Sequence, residues 1–303
     1  MKYYLKTYGC QMNVHDSEKI GGILSESGYQ SSEDIKNAAV VVLNTCNIRQ
    51  KAEQKLYSDL GRLKKIKKNR PDLKIAVAGC IAQQTGSNLF KRFPYVDFVF
   101  GPGNIDSLEK WIRNRTQNPE FSTQTTALKD NPEYHLKTLP VKREGQVKAW
   151  VSIMYGCDNF CAYCVVPYTR GREQSRPGLD IAREAETLSR EGYKEITLLG
   201  QNVNSYGRKL EEEITFPQLL KVLHEVRGIE RIRFVTSHPR DFSEELIMTM
   251  RDLPKICEHL HLPMQAGSDK VLKLMNRGYT YDEYKEKIRM VREAIPGIAV
   301  TTD

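Results

Sequence analysis

Three cysteines fall within eight residues, in the run Met154-Tyr155-Gly156-Cys157-Asp158-Asn159-Phe160-Cys161-Ala162-Tyr163-Cys164. Thiolates at Cys-x3-Cys-x2-Cys spacing can bind one metal centre together. A structural zinc ion wants four protein ligands, and no fourth Cys or His lies within reach along this loop. A four-iron cluster tolerates the shortage. Held by three cysteines, it has one iron without a protein ligand, and that corner can bind a small molecule. Two plainer readings stay open at this point. Cys161 and Cys164 alone also fit a dithiol redox pair, although that motif needs no Cys157 and usually opens a helix after a first strand in a smaller domain. An incomplete zinc site is the other.

Three further cysteines carry a positional signal. Cys10, Cys46 and Cys80 are 36 and 34 positions apart, yet each stands immediately after a run that reads as a strand. Gly9 and Gly79 directly precede two of them and fit a backbone that turns tightly beside a bulky ligand. A buried cysteine is common as a small apolar residue. Three of them in equivalent positions of successive units are harder to explain that way. Cys257 has no such partner and reads as a structural thiol.

The elements that position these residues follow from periodicity. Residues 2–7 read as a strand, His15–Ser27 as a helix with Ile20, Ile23 and Leu24 on one face, and Ala38–Leu43 as a strand buried on both faces. A helix from Ile48 to Lys68, a strand at Lys74–Ala78, a strand at Val96–Phe100 and a helix at Ile105–Arg113 complete the series. Strand and helix alternation predicts right-handed βαβ units and a small doubly wound parallel sheet, with ligands outside the carboxyl ends of its strands. Residues 1–115 therefore form an N-terminal α/β domain, and 116–148, rich in Thr, Gln, Asn, Pro and Lys, a linker. From 149 to 303 a second series repeats. Its strands are expected at 149–153, 195–200, 231–235, 259–262 and 298–302, and its helices at 179–191, 216–226, 243–251, 268–275 and 281–294. Such βα repeats predict a partial barrel whose site lies at the C-terminal ends of its strands. A parallel barrel ending on a bare strand leaves an exposed edge, so the fold is expected to continue past residue 303.

Composition narrows the class. The 303 residues are 40% hydrophobic and 28% charged, with no apolar run of about eighteen residues and no apolar leader in the opening MKYYLKTYGC. A cytoplasmic protein without a membrane is expected. Seven cysteines, an odd number in a large chain, do not suit a secreted disulfide framework. Net charge of +8 favours a polyanionic partner such as nucleic acid. Lys64, Lys65, Lys67, Lys68 and Arg70 form the densest basic run. A solvated helix C-terminus explains it at least as well as phosphate binding.

The three-cysteine loop resembles the hallmark of the radical S-adenosylmethionine (SAM) superfamily. Thr7-Tyr8-Gly9-Cys10-Gln11-Met12-Asn13, Asn44-Thr45-Cys46, Tyr168-Thr169-Arg170-Gly171-Arg172-Glu173 and Ser175-Arg176-Pro177 narrow the resemblance to the methylthiotransferase family. Ser237-His238-Pro239 and Leu262-Pro263-Met264-Gln265-Ala266-Gly267-Ser268 are similar to its branch acting on isopentenyladenosine at position 37 of tRNA. Relatives that modify threonylcarbamoyladenosine or a ribosomal protein residue are the nearby alternative. A non-catalytic iron–sulfur redox or carrier protein is the alternative of a different class.

The resemblance implies two 4Fe-4S clusters. Cys157, Cys161 and Cys164 would hold the cluster whose open iron chelates SAM and yields a 5′-deoxyadenosyl radical. Cys10, Cys46 and Cys80 would hold an auxiliary cluster carrying the sulfur. SAM would serve as radical source and methyl donor, tRNA as substrate, and a flavodoxin or ferredoxin as reductant, with a separate sulfur source. Tyr163, before the third cysteine, would lie near the SAM adenine. Gln201, Asn202 and Gln265 occupy barrel-mouth positions suited to hydrogen-bonding cofactor or substrate, and each also suits a helix cap or a buried backbone group. Arg170, Arg172 and Arg176 suit a SAM carboxylate or an RNA phosphate. His238 suits a packed turn before Pro239 as well as a functional role. The family pattern normally runs on through the rest of the barrel and a TRAM RNA-binding domain, neither of which is in this sequence.

Overall fold

The computed structural model describes residues 1–47, 50–117, 124–129, 139–143, 145–211 and 214–303. It divides into two compact units, Met1–Glu144 with Tyr168–Arg170, and Gly145–Pro167 with Gly171–Asp303.

The first unit is built from β1 (Lys2–Thr7), α1 (Gln11–Glu26), β2 (Gln30–Ser31), β3 (Val40–Thr45), α2 (Gln50–Asn69), β4 (Lys74–Gly79), α3 (Cys80–Thr85), α4 (Asn88–Arg92), β5 (Phe98–Phe100), α5 (Ser107–Gln117) and β6 (Thr125–Ala127). The six strands run in the order β2-β1-β3-β4-β5-β6, every pairing parallel. The chain leaves β1 for β2 on one side and returns to place β3 on the other. That reversal opens a crevice beyond the carboxyl ends of β1 and β3. The β-branched run Val40-Val41-Val42 is buried on both faces. Val41, Leu43, Ile75, Val77 and Val99 pack with Leu56, Leu60 and Leu63 of α2. The alternate residue Phe98 stacks on Trp111 of α5 at 5.0 Å. Each fully buried leucine on α2 contributes about 1.5–3 kcal/mol.

The structure adds to two expectations for this unit. The segment 116–148 is more than a linker: β6 pairs with β5 from Phe98↔Thr125 to Phe100↔Ala127. Three residues with modest apolar character carry too little pattern to announce a strand. Most of the remaining segment, and the Ile48 start expected for the second helix, lie outside the described residues. The basic run at the end of α2 is partly tied into the fold, since Lys67 pairs with Asp97 at 2.5 Å and Arg70 donates to the Lys36 carbonyl at 2.5 Å.

The second unit comprises β7 (Lys148–Ser152), β8 (Met154–Tyr155), the start of α6 (Val166–Thr169, whose last two residues belong to the first unit), β9 (Gln174–Ser175), α7 (Gly178–Arg190), β10 (Glu195–Leu199), α8 (Phe216–His224), β11 (Arg231–Phe234), α9 (Glu244–Asp252), β12 (His259–His261), α10 (Asp269–Leu274), α11 (Tyr281–Ala294) and β13 (Ala299–Thr301). Thr215 and Gln218 close a capping box on α8, as Thr280 and Glu283 do on α11, which fixes where both helices begin. Val151, Ile196, Leu198, Ile232, Phe234 and Leu260 form one core with Ile181, Ala185 and Leu188 of α7. The strands are parallel, as a partial barrel requires, but they do not form one continuous sheet. Three pair as β11-β10-β7 and two as β12-β13, with an Ile232↔Ile256 bridge between the groups. Short β8 and β9 pair antiparallel, Met154↔Ser175 and Tyr155↔Gln174, and frame the three-cysteine loop. Among the described residues, no helix is long and apolar enough to cross a membrane.

Candidate functional site

Sheet register brings the first cysteine set together. Thr7 pairs with Asn44, and Thr45 with Gly79, so Cys10, Cys46 and Cys80 all lie just past the same edge. Gly9 adopts φ +143, and a Cβ there would stand 2.2 Å from Cys46 Cβ. Gly79, at φ +90, would place a Cβ 2.3 Å from the Thr45 carbonyl oxygen. Only glycine permits these approaches. A hydrogen bond with Cys46 is the main cause that lowers the Cys10 thiol to about 6, against burial and with help from the Arg170 charge. Cys10 also stands at the N-cap of the sixteen-residue α1, where the helix end favours a thiolate.

Asparagines tie this edge together. Asn13 Nδ2 donates to the Thr45 carbonyl at 3.0 Å, Cys10 Sγ donates to Asn13 Oδ1 at 3.3 Å, and Asn44 Nδ2 donates to the Asn13 carbonyl at 2.8 Å and to Ser17 Oγ at 2.9 Å. Asn13 and Asn44 are fully buried. Both sit in the runs that carry the family resemblance, which was the available signal for them.

The second set is held by neighbours remote in sequence. Gly156, at φ +72, would put a Cβ 2.0 Å from the Arg172 carbonyl oxygen, so the loop can begin there only with glycine. Cys157 N–H donates to the Gly171 carbonyl at 3.3 Å, and Cys164 N–H to the Cys161 carbonyl at 2.9 Å. Asp158 accepts from Arg172 Nε at 2.6 Å and from Lys209 Nζ. Burial raises its carboxyl, but those cations and the Glu173 N–H outweigh burial and hold it below the usual range. Asn159 accepts from Arg240. Arg277 Nη1 donates to Cys161 Sγ at 3.3 Å, a contact that no local pattern announced. Burial pushes the Cys157 thiol up to about 11 and raises Cys164 as well. Among the described residues no three Cys, His, Asp or Glu side chains are close enough to share one metal ion.

The strand ends of this unit carry buried polar atoms without partners among the described residues: Ser152 Oγ at the last residue of β7, Gln201 Oε1, Asn202 Oδ1 and Asn204 Nδ2 after β10, and Ser237 Oγ and His238 Nε2 after β11. Asn202 Nδ2 donates to Asp241 Oδ2 at 2.6 Å, which fixes the amide and leaves its carbonyl oxygen unpaired. His238 Nδ1 accepts the Arg240 N–H at 3.2 Å, so the neutral ring carries its proton on Nε2. Burial, then the Arg277 charge, lower this imidazole to about 3. Tyr163 is half-exposed, with burial raising its phenol to about 12. Gln265 is half-buried at φ +71 and its N–H donates to the Asp303 carbonyl at 2.9 Å.

The three arginines offered as anion contacts are engaged within the protein. Arg170 pairs with buried Asp16 at 2.7 Å, Arg172 with Asp158, and Arg176 with Glu184 at 2.8 Å and the Ser152 carbonyl at 2.5 Å. The guanidinium fork meets carboxylates of its own chain first. Cys257 is half-buried, and its N–H donates to the Ile232 carbonyl at 3.0 Å beside the bridge between the two strand groups.

Residues 2–101 match a family described as Uncharacterized protein family UPF0004, and residues 151–303 match the Radical SAM superfamily. A protein of Thermodesulfovibrio yellowstonii called tRNA-2-methylthio-N(6)-dimethylallyladenosine synthase is 55% identical over 300 residues, covering 99% of this chain and 68% of its own length. One of the same name from Thermoanaerobacter sp. is 50% identical over 303 residues, covering 99% of this chain and 64% of its own. The chain thus spans about two thirds of the length of these relatives. Among solved structures, the radical S-adenosylmethionine methyltransferase TsrM from Kitasatospora setae, with cobalamin and a [4Fe-4S] cluster bound, matches with a TM-score of 0.68 at 15% identity, covering 99% of this chain and 66% of that one. OxsB, a cobalamin-dependent S-adenosylmethionine radical enzyme, matches at 0.66 and 13%, covering 99% and 48%. At such identities the likeness concerns the fold.

Proposed function

The chain belongs to the tRNA-2-methylthio-N(6)-dimethylallyladenosine synthases of the radical SAM superfamily, and on that footing we propose that it places a methylthio group on carbon 2 of isopentenyladenosine 37 in tRNA. The observation that carries this reading is the presence of two cysteine sets in two units, each beyond the carboxyl ends of parallel strands. One set alone would suit a radical generator. The second gives sulfur a place to reside.

The donor types and spacings suit the groups this activity needs. Cys157, Cys161 and Cys164 would hold one 4Fe-4S cluster, and Cys10, Cys46 and Cys80 a second, each three-thiolate set leaving one iron open. Unpaired buried atoms of Ser152, Gln201, Asn202, Asn204, Ser237 and His238 suit a ligand rich in donors and acceptors, as SAM is, because a buried polar atom without a partner costs about 1–3 kcal/mol. When bound, SAM and the first cluster supply a 5′-deoxyadenosyl radical and a methyl group, and the second cluster supplies sulfur.

The chain's own residues orient and exclude. Asp241 holds the Asn202 amide so that its carbonyl oxygen is available as an acceptor. Gln201 and Gln265 would offer further hydrogen bonds at the mouth, and Tyr163 a ring for the adenine. His238, neutral through the physiological range, offers a fixed Nε2–H donor. Lys6, Lys51, Lys55 and Arg62 line a cavity of about 590 Å³ at the end of β1, with Tyr8, Gly9 and the carboxylate Asp59. This basic lining supports an RNA substrate. A flavodoxin or ferredoxin as reductant, a separate sulfur source and a cytosolic location complete the proposal.

The test is anaerobic reconstitution followed by three measurements. Iron is expected at about eight per chain from two four-iron clusters, and Cys10, Cys46 and Cys80 changed together to Ala should halve it while leaving SAM cleavage to 5′-deoxyadenosine. Nucleoside mass spectrometry after incubation with isopentenyladenosine-containing tRNA should show the methylthio product. Unchanged iron in the triple variant would sink the second cluster, and iron without SAM cleavage would favour a redox carrier. Cleavage with product only on threonylcarbamoyladenosine tRNA would reassign the substrate.

A further inference from the structure

We propose that Arg277 is a positioning residue for the three-cysteine loop, its guanidinium binding the Cys161 sulfur and raising the reduction potential of the cluster held there. The inference rests on the cluster reading of that loop.

Three consecutive residues after α10 grip the loop. The Met275 carbonyl accepts the Ala162 N–H at 3.0 Å, Asn276 Nδ2 donates to the Asn159 and Phe160 carbonyls at 3.3 and 3.0 Å, and Arg277 Nη1 donates to Cys161 Sγ at 3.3 Å. Asn276 takes up φ +56 and Gly278 φ +69, so the backbone coils tightly around Arg277. The guanidinium is itself immobilised: Nη2 donates to the Pro263 carbonyl at 3.2 Å and Nε to Tyr279 Oη at 3.4 Å, while Tyr279 donates to the Met264 carbonyl. A surface side chain would not need such bracing.

Charge supplies the second argument. Arg277 is 4% exposed. Among the described residues, its hydrogen-bond partners are a carbonyl, a phenol and a cysteine sulfur, with no carboxylate. A buried cation is strongly unfavourable unless a negative charge offsets it. Of these three partners, the cysteine sulfur is the one that ligation to a cluster would make anionic. Arginine at this position is therefore explained by a partner whose charge grows on reduction. An N–H bond to a ligating sulfur together with a nearby positive charge stabilises the more negative state, which raises the potential.

The experiment uses the full chain, reconstituted anaerobically with iron and sulfide, with Arg277→Met, Arg277→Gln and Arg277→Lys beside the parent. Iron content, thermal melts and the midpoint of the loop cluster by redox titration followed with electron paramagnetic resonance are measured. Arg277→Met is expected to hold iron and to be reduced about tenfold less at a fixed potential, a negative shift of about 59 mV for one electron. Arg277→Lys, which keeps the charge, should recover part of the shift. Full iron with the parental midpoint in Arg277→Met overturns the proposal. If Arg277→Met holds no iron, the donor-bearing Gln and Lys variants decide. Iron regained in either supports the sulfur contact, and iron lost from all three with parental melts overturns it. A parent that gains no iron–sulfur absorption would refute the cluster reading itself, a result distinct from failure of the Arg277 role.

Discussion

Cys10, Cys46 and Cys80 lie past one edge because three hydrogen-bonded strands of one sheet end in register, whereas Cys157, Cys161 and Cys164 share one loop and are held by side chains reaching in from elsewhere. The sheet edge is stiff. It needs glycines where backbones touch and asparagines to join one strand end to the next. The loop lacks a ladder of its own and depends on Arg172, Lys209, Arg240, Asn276 and Arg277. Electrostatics separates the sets as well: the Cys10 thiol is lowered to about 6 by its Cys46 partner, while burial lifts Cys157 to about 11.

The comparison breaks most visibly at the glycines. Gly79→Ala should cost about 3 kcal/mol, remove the iron of the first unit and leave SAM cleavage, because its Cβ meets the Thr45 backbone at positive φ. Gly156→Ala, whose Cβ meets the Arg172 backbone, should do the converse. Denaturant midpoints, iron assays and 5′-deoxyadenosine yield read both. Equal loss of iron from both sets in either variant would mean that the two sets do not assemble independently.

A smaller effect is expected at the barrel mouth. Burial raises the Asp241 carboxyl, but the Asn202 and Arg208 contacts outweigh it and its folded value is lowered. A depressed carboxylate contributes stability above its unfolded value of about 3.9, which is lost as pH falls through the lower folded value. Thermal melts of the parent should therefore fall more steeply below about pH 4 than those of Asp241→Asn. The same variant, with the Asn202 amide released, should bind SAM about tenfold more weakly, or about 1.4 kcal/mol, by calorimetry. Coincident pH profiles would remove Asp241 from the positioning of the mouth.

The smallest effect concerns the basic cavity beside the sheet edge. Lys51→Gln with Lys55→Gln should leave iron and SAM cleavage unchanged. The logarithmic salt dependence of RNA binding should become shallower by about 1.4–1.8, at roughly 0.7–0.9 for each phosphate left without its lysine. An unchanged slope would place the RNA elsewhere.

The strands were legible where composition was decisive. Ala38–Leu43 carried the β-branched signature of a doubly buried strand, which the structure has at Val40–Thr45, and the cysteines after each strand run pointed to one edge. Less was legible where the signal was short or remote. β6 is three residues with little apolar pattern, and the break between β11 and β12 depends on how a sheet curves. Arg170, Arg172 and Arg176 looked available for anions because a sequence lists charges without their partners. Arg277 lies 116 positions from Cys161, and periodicity reports nothing over that distance.

The sequence by itself determined the candidate ligands and their frame: six cysteines at two kinds of spacing, glycines beside the backbones that must bend, and the alternation that makes parallel strands. Those follow from residue type and local sterics. Only the tertiary structure decided which thiol is shifted towards the thiolate, which arginines are already paired and which one faces sulfur. Burial and the distances between charges set those properties, and both come into being when distant segments pack.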